Sequence, residues 1–350
     1  MNTALQLVEH GLVPKPLLRS GIRRLLRDRL REQAGIYGRD RERALGAWVD
    51  AMRAAPVALV PEKANQQHYE VPPRFFEIVL GKRLKYSSGY YPGASTTLDE
   101  AEEAMLALTE ARALLEDGQD ILELGCGWGS LTLWMAERFP RARIVAVSNS
   151  APQREYITNA ARERGLANVT VITRDMNSFK AEGRFDRIVS VEMFEHMRNW
   201  EELLRRAASW LRPEGRMFLH VFAHKSYAYA FEERDETDWM SRFFFSGGMM
   251  PSHDLLQHIH SPFATEESWV VPGSHYSRTS EDWLRNLESN RGEVLSLFRK
   301  TYGGDAAALW YQRWRIFFLS CAELFGYRDG TEWIVSHHLL RPQLATEARA

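Results

Sequence analysis

The sequence predicts an α/β fold, a mostly parallel sheet with helices on both faces, and three observations support this. Between residues 119 and 225, short apolar runs rich in Val and Ile alternate with segments of helical periodicity, as in consecutive strand–helix units. One of these runs, Ile121-Leu122-Glu123-Leu124, passes directly into Gly125-Cys126-Gly127-Trp128-Gly129 and then into a helical pattern from Ser130. Two later apolar runs, 268–271 and 333–340, would complete the sheet, the second of them antiparallel.

Taken in order, strands are expected at 120–124, 143–147, 169–173, 185–191 and 216–222, with helices at 130–139, 151–164 and 200–210. Ahead of them lie helical stretches at 41–55, 74–80 and 99–115. Residues 19–43 carry nine arginines against four acids, with Ile22, Leu25, Leu26 and Leu30 at helical spacing. That pattern reads as a helix packing one apolar stripe on the main body. A surface for anionic lipid or an acidic partner is the alternative. The boundaries suggested are a basic helical extension (1–64), a cofactor-covering segment and helix (65–118), the core (119–225), a lid (226–275) and C-terminal helices with a final strand (276–350).

Composition narrows the class. The 350 residues are 45% hydrophobic and 26% charged, ordinary for a globular enzyme. A formal net charge of −1 argues against a general nucleic-acid surface. Two cysteines, Cys126 and Cys321, cannot build a disulfide framework or a zinc site. There is no apolar run of 18 residues and no leader-like N-terminus, so the expectation is a cytoplasmic protein without integral membrane contact. Nothing fixes the oligomeric state, and a homodimer is compatible with the sequence.

In such sheets ligands sit at the carboxyl ends of the strands, and the residues there suggest a site. The first gives Gly125 and Gly127, where backbone can approach a ligand closely and a helix N-terminus is aimed at it. The second gives Ser148, Asn149 and, one turn on, Gln153, short polar groups suited to ribose hydroxyls. The third gives Asp175 and Met176, a carboxylate for an adenine amino group and a thioether for its ring. A turn or helix-cap role for Asp175 is the alternative. The fourth ends at Val191, beside the same ligand. Upstream, Tyr86 and Ser87 lie in a loop of rings and hydroxyls that could fold over a bound cofactor, or simply be a turn with buried tyrosines.

After Val191 comes Glu192-Met193-Phe194-Glu195-His196. If a helix starts here, Glu192, Glu195 and His196 share one face at i, i+3 and i+4. Two carboxylates and an imidazole would suit a cationic or amine substrate and removal of its proton, His having a suitable pKa near neutrality; an exposed Glu/His helix start is the alternative. No further His or carboxylate is placed by sequence to complete a metal sphere, so no metal is expected.

Six segments, HYEVPPRFFEIVLGKRLKYSSGYY, ILELGCGWGSL, FDRIVSVEMFEHM, FFFSGGMMPS, SHYSRTSEDWL and WYQRWRIFFLSCAELFGY, occur in one order over residues 65–342. Together they resemble the cyclopropane fatty acid synthase superfamily of S-adenosylmethionine (SAM)-dependent methyltransferases, and within it coclaurine-type N-methyltransferases. The resemblance implies a class I, Rossmann-like methyltransferase with a seven-stranded sheet, a helical N-terminal extension and an inserted lid. It implies cofactor contacts at Tyr86, Ser87, the Gly125 turn, Gln153, Asp175 and Met176, with S-adenosylhomocysteine (SAH) as product. It also implies Glu192, Glu195 and His196 at a substrate amine, and Trp314 and Phe317 in the substrate pocket. The lipid-modifying branch implies instead methylation or cyclopropanation of unsaturated acyl chains. There bicarbonate would be the base, held by Ser88, Glu195, His220 and Tyr276, with Ser88 standing where the family commonly has Cys. N-methylation of a small amine is the preferred expectation, acyl-chain chemistry the first alternative, and a SAM-binding module without turnover the second.

Overall fold

A computed structural model describes residues 3–59, 71–234 and 238–343. The opening His68-Tyr69-Glu70 of the first of the six segments lies outside them. Five strands, β1 (Asp120–Leu124), β2 (Arg143–Ser148), β3 (Val169–Thr173), β4 (Phe185–Val191) and β5 (Leu211–His224), run parallel. A two-stranded ribbon, β6 (Tyr229–Ala230) and β7 (Met249–Met250), lies apart, while β8 (Phe263–Val271) and β9 (Trp333–Pro342) join the main sheet. The order is β3-β2-β1-β4-β5-β9-β8, with β9 antiparallel to both its neighbours. The order reverses between β1 and β4, so the crevice of this sheet opens at their carboxyl ends.

The strands form where the sequence is densest in Val, Ile and Leu. β1, for example, has four buried residues in succession, as expected of a strand covered on both faces. The helices Ser130–Arg138, Ala151–Glu163 and Trp200–Trp210 supply that cover. β5 is longer than the expected 216–222. Pro213-Glu214-Gly215 reads as a turn, but the chain passes through it, with a register shift opposite Phe185 and Arg187. A second difference bears on the chemistry. No helix starts at Glu192, which has φ +49°; Phe194–His196 form one short 3-10 turn. Glu192, Glu195 and His196 therefore do not share a helical face.

The N-terminal helix Lys15–Tyr37 packs Ile22, Leu26 and Leu30 on the core, while Leu25 faces solvent. Several of its arginines turn inward: Arg19 and Arg23 pair with Glu323, Arg19 also with Glu281, and Arg29 with Asp238. Tyr37 donates to the Ala228 carbonyl at 2.7 Å and accepts from the Ala228 N–H at 2.9 Å, tying this helix to the segment after β5. That segment holds the ribbon and the short helix Trp239–Phe243. The helices Gly273–Ser289, Arg291–Tyr302 and Gly304–Phe325 lie between β8 and β9.

Candidate active site

The ends of β1 to β4 open onto one cavity of about 210 Å³. Its nucleotide-like half starts at the glycine turn, where Gly125 and Gly129 have φ +81° and +82°. A Cβ on Gly125 would stand 2.6 Å from the Met193 side chain, and one on Gly129 2.7 Å from Ile157, so both the conformation and the packing require glycine. Glu123 is buried under the turn and accepts from the Thr132 hydroxyl at 2.5 Å; burial pushes its carboxyl up to about 7. At the end of β2, the Ser148 hydroxyl donates to Gln153 Oε1 at 2.6 Å. This fixes the Gln153 amide with its Nε2 buried and without a partner among the described residues. Ser130 Oγ and Trp128 Nε1 are in the same condition, and all three residues line the cavity. Unpaired buried donors of this kind fit a ligand that brings hydroxyl or carboxylate oxygens, as SAM does. Tyr86, Ser87, Gly127, Asn149, Asp175, Met176 and Val191 line the same cavity. Asp175 also accepts from the Asn177 N–H at 2.8 Å, so the turn role and the lining position coexist.

Glu192 lies at the junction with the second half. Its Oε1 accepts from the Ser88 N–H at 3.0 Å and lies 3.1 Å from His220 Nε2; its Oε2 accepts from the Tyr276 hydroxyl at 2.6 Å. The left-handed backbone at Glu192 is a strained conformation for a side chain with a Cβ, of the kind that collects at functional sites. Burial raises the Glu192 carboxyl, while Lys85 and the Tyr276 hydroxyl favour its charged form. Lys85, which the sequence reading did not assign, lines the cavity fully buried, donates to Ser87 Oγ and is pulled down to about 8 by burial.

His196 lines the cavity, its ring stacked on Phe245 at 5.1 Å and 8°, and burial lowers it to about 4. Glu195 does not line the cavity. Its Oε1 accepts from the Phe222 N–H on β5 at 2.7 Å, and burial with Glu192 nearby holds its carboxyl well above the usual range. His220 is fully buried behind Glu192, whereas Tyr276 reaches the cavity. Phe317 lines the second half with Phe222, Phe231, Phe245 and Phe325. Trp314 stands behind Phe317, edge-on at 5.6 Å, and packs on Phe75 at 4.6 Å, so its role is to support the wall. Cys321, Leu324, Met240 and Met250 complete this apolar half and were not anticipated. Cys321, Leu324 and Phe325 follow Phe317 at helical spacing, the signal that could have found them.

The model of the mycolic acid cyclopropane synthetase family matches residues 60–332. The chain is 38% identical over 341 residues to (S)-coclaurine N-methyltransferase of Thalictrum flavum subsp. glaucum, covering 96% of this chain and 94% of that protein. It is 27% identical over 317 residues to the cyclopropane-fatty-acyl-phospholipid synthase of Escherichia coli K12, covering 89% and 76%. Among solved structures, coclaurine N-methyltransferase bound to N-methylheliamine and SAH superposes with a TM-score of 0.93 at 37% identity, covering 97% and 98% of the two chains. The chain belongs to the mycolic acid cyclopropane synthetase family, and within it is similar over nearly its whole length to the coclaurine N-methyltransferases.

Proposed function

We propose that the protein transfers a methyl group from SAM to the nitrogen of a lipophilic, aryl-bearing amine. The observation that carries this is the Glu192 carboxylate, set between the partnerless donors of the cofactor half and a wall of phenylalanines. A carboxylate offers about four lone-pair positions, and three are taken by Ser88, His220 and Tyr276, which leaves one for an amine N–H. The cavity's aromatic faces suit both the rings of such a substrate and its developing positive charge. Similarity to coclaurine N-methyltransferase supports the same class of substrate.

When bound, SAM supplies a methyl already activated on a sulfonium. The protein's work is then to align the nitrogen and exclude water. Glu192 pairs with the incoming ammonium and orients it. The nitrogen must be neutral to attack, and His196, uncharged above about pH 4, accepts or relays the proton. Glu195, turned to the β5 backbone, holds the 3-10 turn in place and does not touch the amine.

The acyl-chain alternative would direct Tyr276 and His220 at bicarbonate. Both are engaged by Glu192, which favours the amine reading. Calorimetry tests it: with SAH bound, an N-methylated aryl amine should bind the wild type, and Glu192→Gln should lose the amine while keeping SAH. Equal amine binding by Glu192→Gln would reject the role given to Glu192.

A further inference from the structure

Behind Glu192 and its donor His220 lie two groups, His337 and Arg112, that the chemistry above does not use. Glu192 Oε1 lies 3.1 Å from His220 Nε2, His220 Nδ1 lies 2.9 Å from His337 Nε2, and His337 Nδ1 lies 2.8 Å from Arg112 Nη1. His220 and His337 face each other in register across β5 and β9, both fully buried. Arg112 is the last residue of the helix Leu98–Arg112 and lies half-buried over the Trp269 ring.

A guanidinium has donors and no acceptor. His337 Nδ1 therefore accepts from Arg112, which puts the proton of a neutral His337 on Nε2. That N–H donates to His220 Nδ1, so the His220 proton is on Nε2, where it donates to Glu192. Every hydrogen bond in the line points toward the carboxylate. Burial keeps both imidazoles well below the usual histidine range, so they are neutral near pH 7. The line is also not an exit for protons: a proton on Glu192 would meet a His220 nitrogen that already carries one.

We infer that Arg112 and His337 are positioning residues, which lock the tautomers of two imidazoles and so brace Glu192 in its ionised form from across the neighbouring strands β5 and β9. The inference rests on Glu192 being the group that holds the amine. Other groups face Glu192 as well: Lys85 and the Tyr276 hydroxyl favour its charge, Glu195 opposes it, and His196 and the Cys321 thiol lie close. Glu267 and Tyr90 face Arg112, and His338 and Lys85 face His337.

The test is NMR of the free protein with labelled histidine nitrogens and glutamate carboxyls, Glu192 being assigned by its loss in Glu192→Gln. His220 and His337 should both be Nε2–H tautomers in the wild type. In Arg112→Met, a change at a half-exposed site that leaves the core intact, His337 should lose its single tautomer. Glu192 should then titrate about half a unit to one unit higher. His337→Gln can still accept from Arg112 and donate to His220, and should leave the Glu192 titration where it was. An Nδ1–H tautomer at either histidine, or an unmoved Glu192 titration in Arg112→Met, would overturn the inference. These readouts need no substrate, so a wild type that methylates no amine would defeat the functional reading alone.

Discussion

Tyr276 donates its hydroxyl to Glu192 Oε2 at 2.6 Å while its ring stacks on Phe325 at 4.2 Å, so the aromatic wall and the carboxylate proposed to hold the amine are joined through one side chain. A hydrogen bond to a charged group contributes about 1.5–3 kcal/mol. Tyr276→Phe keeps the stacking and removes only that bond. Its kcat/KM for the amine should fall about 10- to 100-fold. Glu192 ionises as pH rises, so its acid limb should move to higher pH in the variant. Steady-state rates across pH 5–9 check both effects.

Glu192→Gln should be more severe, because the charge proposed to pair with the ammonium is gone. A loss of about 10²–10³ in kcat/KM is expected. SAH affinity should be unchanged, since the partnerless donors of the cofactor half are elsewhere. Rates and SAH calorimetry on the same preparation decide the point.

Gly125→Ala would meet both a φ of +81° and the Met193 side chain at 2.6 Å. The strain should cost about 1–3 kcal/mol of stability. Met193 neighbours Glu192, so amine turnover should suffer along with SAH binding. Denaturant unfolding and SAH titration report the two effects separately.

Glu123 gives a pH signature of stability. Its carboxyl is raised from 4.5 to about 7, so the folded state holds the proton more tightly than the unfolded chain. Its contribution is fully present below pH 4.5 and is lost as pH rises through about 7. Glu123→Gln cannot ionise and retains an acceptor for Thr132. Relative to the wild type, it should gain about 1–3 kcal/mol between pH 5 and pH 8. Urea unfolding at the two pH values measures the difference.

Much of the fold was legible in the sequence. β1, β3 and β4 begin and end where Val and Ile runs meet turn residues, and β9 was expected antiparallel. Much of the lining of the cavity's nucleotide-like half was readable because Gly125, Asn149, Asp175 and Val191 sit at or just past strand ends. What failed was local geometry under tertiary control. The spacing of Glu192, Glu195 and His196 suggests a helix face, but the positive φ at Glu192 sends the two carboxylates to different neighbours. Lys85 looks like any loop lysine until burial places it in the cavity wall. The His220–His337 contact joins residues 117 positions apart, through a register that only the assembled sheet defines.

The most direct test of amine methylation is a mass-resolved assay with SAM, run against aryl-bearing secondary and tertiary amines and against unsaturated phospholipid vesicles, each with and without bicarbonate. One added methyl on an amine, indifference to bicarbonate and unchanged lipid are expected. A mass gain on acyl chains that depends on bicarbonate, with the amines untouched, would contradict amine methylation.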